Sequence, residues 1–149
     1  MGKNYLLKIK ESKNESILLS KGTFIVRVSK NTPKKVQVLF KNWLKLHAQK
    51  IIEKKSNHHA KKMGVKFDKI IIKDHKERWG SVSKNKSLNI NLSIFCAPPK
   101  IIDYVIIHEL CHLKIPNHSP KYWNLLYKMM PEYETHKEWL SVNWKLLNF

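Results

Sequence analysis

Four side chains within one short segment carry the most specific chemistry in this sequence: His108, Glu109, His112 and His118. The first three form the pattern His-Glu-x-x-His. Four residues advance an α-helix by about 400°, so the imidazoles at 108 and 112 project one turn apart on nearly the same face and can share one tetrahedral metal ion. Glu109 lies about 100° round from His108. That puts its carboxylate beside the ligands rather than among them, where it can take a proton from a water molecule activated by the metal. A catalytic centre of this kind needs a third protein ligand and an open fourth position. His118 follows His112 across Pro116, a helix breaker that lets the chain turn back. With 8 His and 8 Glu among 149 residues, a shuffled chain would show the five-residue pattern roughly once or twice in a hundred, and a further His at this offset about once in a thousand.

Other residues compete for roles. Glu132, Glu134 and Glu138 are alternative third ligands that would have to come from a later helix, and Cys111 stands next to His112. Small buried thiols are common in helix packing, which is the reading preferred for Cys111. His75, Tyr133 and His136 are possible oxyanion donors, although a lone His or Tyr near a helix end more commonly has a structural place. His58 and His59 end a Lys-rich stretch and read as solvated surface.

The elements that must position the site are legible to different degrees. Ile101–Leu113 is apolar nearly all round and long enough for a buried helix, so its few polar side chains need a reason to be there. Ser119-Pro120 starts a further helix with Tyr122, Trp123, Leu126 and Met129 or Met130 inward, Pro131 stops it, and a last helix runs from Glu132 to Leu147 with Trp139 and Leu140 inward. Upstream, Lys69–Lys73 and Ser87–Ser93 look like strands flanking a polar loop, Lys76–Lys86. In the second of them Leu88, Ile90 and Leu92 share one face and Asn89 and Asn91 the other. The opening reads as three strands, Tyr5–Lys10, Ser16–Ser20 and Gly22–Ser29, in a small antiparallel sheet or meander. A helix over roughly residues 33–62 follows, with Val36, Phe40, Trp43, His47 and Ile51 at helical spacing until Gly64.

Several of these stretches together resemble the YgjP-like metallopeptidase family. The matching residues are Arg78-Trp79-Gly80-Ser81 before the strand Leu88–Leu92, Ala97-Pro98-Pro99, Ile102–Ile106, His108–His112, Asn117-His118-Ser119, Trp123, Pro131-Glu132-Tyr133 and Trp139-Leu140. Val82 departs from the pattern, which usually has Cys after Arg-Trp-Gly-Ser; a redox or ligand role for that loop is not expected here. The resemblance implies a compact zincin-like domain with His108, His112 and His118 as zinc ligands and Glu109 catalytic. It does not imply a defined substrate. Metzincins share the spacing of the three histidines but place Gly three residues after the second; Ile115 stands there in this chain. A weaker likeness reaches the Wss-type and SprT-like proteases, which act on proteins trapped on DNA.

Composition bounds the rest. A chain of 149 residues can fold as one domain without staples, and its expected division is a basic part, 1–66, followed by the sheet and metal-site helices of 67–149. Cys96 and Cys111 form no CxxC pair, no apolar run approaches a bilayer span, no N-terminal stretch resembles a secretion signal, and Leu6 occupies the place where a myristoylation signal needs Ser or Thr. A cytoplasmic protein with reduced thiols and no membrane attachment is expected. Net charge is +18, with 17 Lys+Arg against 3 Asp+Glu in residues 1–66. Such a field suits DNA or RNA, the expected contacts being Lys34, Lys41, Lys45, Lys54, Lys55, Lys61 and Lys62 on the first helix. A bias of composition towards Lys, Asn and Ile accounts for Lys in place of Arg, but less well for the shortage of acids.

The expectation is therefore an α+β, zincin-like zinc metallopeptidase with one Zn²⁺ per chain, a peptide or protein substrate and an oligomeric state the sequence does not give. The rival is a nucleic-acid-binding module whose zinc is structural, closed by a fourth ligand such as Cys111 or Glu132. Arg78, in the loop just before the strand 88–92, could hold a substrate carbonyl or carboxylate, or serve only to tie that loop.

Overall fold

A computed structural model describes residues 2–75 and 77–147; Lys76, at the start of the expected polar loop, lies outside them. The chain is α+β, and it gathers into two compact units, Lys3–His47 and a larger one of residues 48–147 with Gly2.

In the smaller unit, strands β1 (Leu6–Glu11), β2 (Ser16–Ser20) and β3 (Thr23–Val28) form a sheet in the order β1-β3-β2. β2 and β3 are an antiparallel hairpin. Its two-residue turn takes positive φ at Lys21 (45°) and Gly22 (76°), the backbone twist that tight hairpins need. β1, however, pairs parallel with β3, which corrects the expected antiparallel meander: alternation sets which face a strand buries but not which neighbour it chooses. Phe24, Val26 and Val28 are buried on the inner face, and Phe24 meets Phe40 and Trp43 edge-on at 5.0 and 5.1 Å. Those two aromatics belong to α1 (Pro33–Met63).

α1 extends into the larger unit, where its buried side chains are Ala48, Ile52, Ser56, Ala60 and Met63. The expected series through His47 and Ile51 lies one position off this stripe, because small residues, including a serine, permit the close approach that hydropathy does not rank. Lys55 and His59 on the same side reach Asp103, at 2.8 and 2.9 Å. His59 is thereby tied rather than solvated, and Lys55 is not a free cation. β4 (Ile70–Lys73), β5 (Gly80–Val82) and β6 (Leu88–Asn91) form a second sheet in the order β4-β6-β5, with β4 parallel and β5 antiparallel to β6. β5 falls inside the stretch read as polar loop. All four β6 residues are buried; Asn91 is satisfied by donating to the carbonyls of His75 and Arg78 and accepting from Ser93 N. That last bond caps a 3-10 helix, Leu92–Cys96, which shortens the expected strand. Helices α2 (Pro99–His112), α3 (Pro120–Met129) and α4 (Tyr133–Leu147) complete the unit, and α2 packs against β5, β6, α3 and α4. Among the described residues no helix is long and apolar enough to cross a membrane.

Candidate metal centre

α2 begins with Pro99 inside its first turn, where the missing N–H is no loss, and buries Ile101, Ile102, Tyr104, Val105, Ile106, Ile107 and Leu110. This apolar rod fixes the depth of its last turn, which carries His108, Glu109 and His112. The chain then turns at Leu113–Ile115, with Leu113 N donating to Leu110 O and Ile115 N to Cys111 O. Pro116 prevents the helix from resuming, and His118 is brought back over the same turn before α3 starts at Pro120.

The three Nε2 atoms converge. His112 and His118 stand 3.1 Å apart and His118 and His108 3.3 Å. Tetrahedral zinc with Zn–N bonds of about 2.0–2.1 Å sets its ligand nitrogens roughly 3.3 Å from one another; these two spacings match that value, and all three donor atoms lie within 4.8 Å of one another, so the three side chains together could hold a single metal ion. They are the one group of three or more His, Cys, Asp or Glu able to do so among the described residues. His112 Nδ1 donates to Ile115 O at 3.1 Å, because a carbonyl can only accept; the tautomer is thereby fixed with the Nε2 lone pair towards the shared point. His108 Nδ1 is buried with no hydrogen-bond partner among the described residues. Burial, then the neighbouring His112, His118 and Lys137, push His108 down to about 3, and burial lowers His112 as well. Both are neutral near pH 7, the state in which an imidazole can ligate.

An aromatic support holds the three rings. Tyr122 is fully buried, its hydroxyl donates to His108 O at 3.0 Å, and its ring stacks on His112 with centroids 4.5 Å apart. It also meets His108 and His118 edge-on. Trp123 stacks on His118, Tyr133 stacks on Trp123, and the Lys137 ammonium lies 4.6 Å from the Trp123 ring centre. The sequence marked Tyr122 and Trp123 as inward-facing but not as the wall behind the histidines; aromatics two and three residues beyond Pro120 were the available signal.

Glu109 is 5% exposed. Burial raises its carboxyl to about 8, partly offset by the charge of Arg78; a bound cation acts in the same sense as Arg78. Its place depends on Gly80, where a Cβ would stand 2.7 Å from Glu109 Oε1. Gly80, Ser81 and Val82 of β5 line one side of an open cleft of about 320 Å³ whose remaining lining is His108, Glu109, His112, Pro116 and His118. β5 is an edge strand. On its β6 side, Trp79 O accepts from Asn91 N and Ser83 N donates to Ser87 O, so by antiparallel alternation the backbone groups of Gly80 and Val82 point to the open edge.

The other sequence candidates fall outside this lining. The His75 carbonyl is held by Asn91, the Tyr133 hydroxyl donates to Glu134 at 3.3 Å, and His136 is buried with Nε2 3.9 Å from Glu132 Oε1. Cys111 is buried and its thiol raised to about 12 by desolvation. Arg78 keeps an exposed side chain, while Trp79 meets Trp144 edge-on.

The model of the YgjP-like metallopeptidase domain matches residues 1–143. The chain belongs to the YgjP-like metallopeptidase family. Family membership makes it a metal-dependent peptidase by class, and the three histidines supply donors that such a metal requires. Its fold is that of zincin-like metallopeptidases. It is similar to the metallopeptidase zymogen abylysin of Pyrococcus abyssi, with a TM-score of 0.57 and 23% identity over 65% of this chain and 96% of that one. Jannalysin, the metallopeptidase zymogen of Methanocaldococcus jannaschii, aligns with a TM-score of 0.54 and 29% identity over 64% of this chain and 96% of its own. No curated protein sequence matches significantly.

Proposed function

We propose that this YgjP-like protein is a zinc peptidase in which His108, His112 and His118 hold one Zn²⁺ and Glu109 is the general base. The observation that carries the reading is the convergence of three imidazole nitrogens beside a buried carboxylate, in a cleft bordered by an open strand edge. Zinc, when bound, supplies Lewis acidity that polarises a scissile carbonyl and lowers the pKa of a water molecule towards neutrality. The protein supplies the rest. An extended substrate pairs its backbone with the outward groups of Gly80 and Val82, which lays a peptide bond across the mouth of the cleft. Glu109, kept in place by Gly80, accepts the water's proton and returns it to the departing amine. Arg78, exposed two residues before β5 and outside the cleft lining, is the cation we assign to a substrate carbonyl or carboxylate.

A structural zinc would call for a fourth protein ligand, and none joins the three histidines among the described residues; that favours the enzyme over a binding module with a closed site. The two free thiols, Cys96 and Cys111, suit the reducing cytoplasm, which we take as its compartment.

Glu109→Gln tests the assignment. The variant should fold, keep one zinc per chain by elemental analysis, and lose peptide hydrolysis by about a hundredfold or more, since an amide cannot take the proton. Wild-type activity would remove Glu109 from the mechanism, and loss of zinc would make it a ligand instead.

A further inference from the structure

α1 carries nine Lys and one Glu across Pro33–Met63, and the fold divides these lysines into distinct sets. Lys35 is paired with Glu15 at 2.7 Å and Lys55 with Asp103 at 2.8 Å. In the half of the helix within the larger unit, the inward arc is Ala48, Ile52, Ser56, Ala60 and Met63, with Lys55 and His59 at its border on Asp103 of α2. On the opposite side, Lys50, Lys54, His58 and Lys61 fall within about 80° of arc and span about 16 Å along the axis. All four are exposed, as is Asn57 among them. The three lysines make no ion pair among the described residues, and Glu53, the helix's one carboxylate, lies about 60° to the side of Lys50.

Helix stability accounts for part of this pattern only. Lys61 with Lys62 favours the negative end of the helix dipole, but Lys50 and Lys54 lie two to three turns earlier, beyond its reach. We propose that the stripe Lys50–Lys54–His58–Lys61 is a docking surface for the phosphate backbone of duplex nucleic acid, on the side of α1 turned away from the metal helix. A row of mobile ammonium groups neutralises successive phosphates without reading bases. The arc contains no apolar side chain to anchor in a lipid bilayer. It contains no Phe, Tyr or Trp on which unpaired bases could stack. Duplex backbone, a regular row of phosphates, needs neither. Because Asp103 ties the other face of α1 to α2, bound nucleic acid leaves the metal cleft open, and hydrolysis and binding are separable. The proposal stands independently of the catalytic assignment.

The test is fluorescence anisotropy of a labelled 20-base-pair duplex titrated with zinc-loaded protein over a salt series. Wild type should bind at low salt with a steep dependence of log Kd on log salt. K50Q/K54Q/K61Q should weaken binding about tenfold or more and flatten the slope by about 2 to 3, one for each phosphate no longer neutralised. Circular dichroism, zinc content and peptide hydrolysis should stay at wild-type levels. K8Q/K10Q/K21Q removes the same charge from exposed positions of the smaller unit and should have a clearly smaller effect. Equal weakening in the two triple variants would show diffuse attraction and overturn the assignment to the stripe. No wild-type binding at low salt would overturn it too, as would sedimentation with phosphatidylserine vesicles in the absence of any duplex binding.

Discussion

Gly80 and Glu109 show how a residue without a side chain can make room for a buried carboxylate, the one proposed above as general base. The Cβ that any other residue would add stands 2.7 Å from Glu109 Oε1, well inside contact distance, so Gly80→Ala must push either the strand or the carboxylate. A displacement near 1 Å in a positioned group costs about a hundredfold in rate. Gly80→Ala should therefore lower kcat by about that factor with zinc content unchanged; steady-state kinetics beside elemental analysis measure both, and an unaltered kcat would mean that Glu109 is not held by this contact. The same reasoning explains why the strand beside the cleft is short and poor in apolar residues: it must approach the metal helix closely on one side and keep an edge open on the other.

At the scale of elements, α1 and α2 are joined by an electrostatic contact. Burial alone would raise the Asp103 carboxyl, but hydrogen bonds from His59 and Lys55 together with their charge outweigh it and hold the group below the ordinary carboxylate range. The sign of the linkage follows: the folded state binds the proton less readily than the unfolded chain, so this contribution to stability is complete above pH values near the unfolded Asp pKa of about 3.9 and is lost as pH falls through the depressed folded value. Thermal melts between pH 3 and pH 7 should show a drop at the acid end that is smaller in Asp103→Asn, whose melting temperature at pH 7 should already be reduced. Parallel melting curves for the two proteins across that range would contradict a role for Asp103 in the acid limb.

For the whole molecule, the metal should be a stability term as well as a chemical one, since a ligand that binds only the folded state stabilises it by mass action. At a free zinc concentration about a thousandfold above Kd the gain is about 4 kcal/mol, which for a chain of this size is on the order of 10 °C in melting temperature. Chelation should reverse the shift. His118→Ala should largely abolish the zinc-dependent shift, whereas Glu132→Ala should keep it, because Glu132 faces His136 rather than the cluster. The opposite outcome in calorimetry would move the third ligand to Glu132.

How much of this was legible beforehand depends on whether the information is local. The His-Glu-x-x-His turn, the break at Pro116 and the apolar length of α2 lie within a few residues of one another, and the periodicity of one helix is enough to put His108 and His112 on one face. The three C-terminal helices were readable for the same reason, each starting at a proline or within two residues of one and carrying its own apolar residues. Sequence alone determined the family resemblance, the α+β class and the candidate ligand set. Tertiary structure decided what depends on distant pairing: that β1 lies parallel to β3, that a polar stretch supplies the edge strand β5, that Tyr122 backs the histidines, and that Lys55 and His59 belong to Asp103. The physical reason is that a strand as short as Gly80–Val82 has no periodicity of its own; it is a strand because Leu88–Ile90 offers hydrogen-bonding partners and because a glycine lets it lie against Glu109.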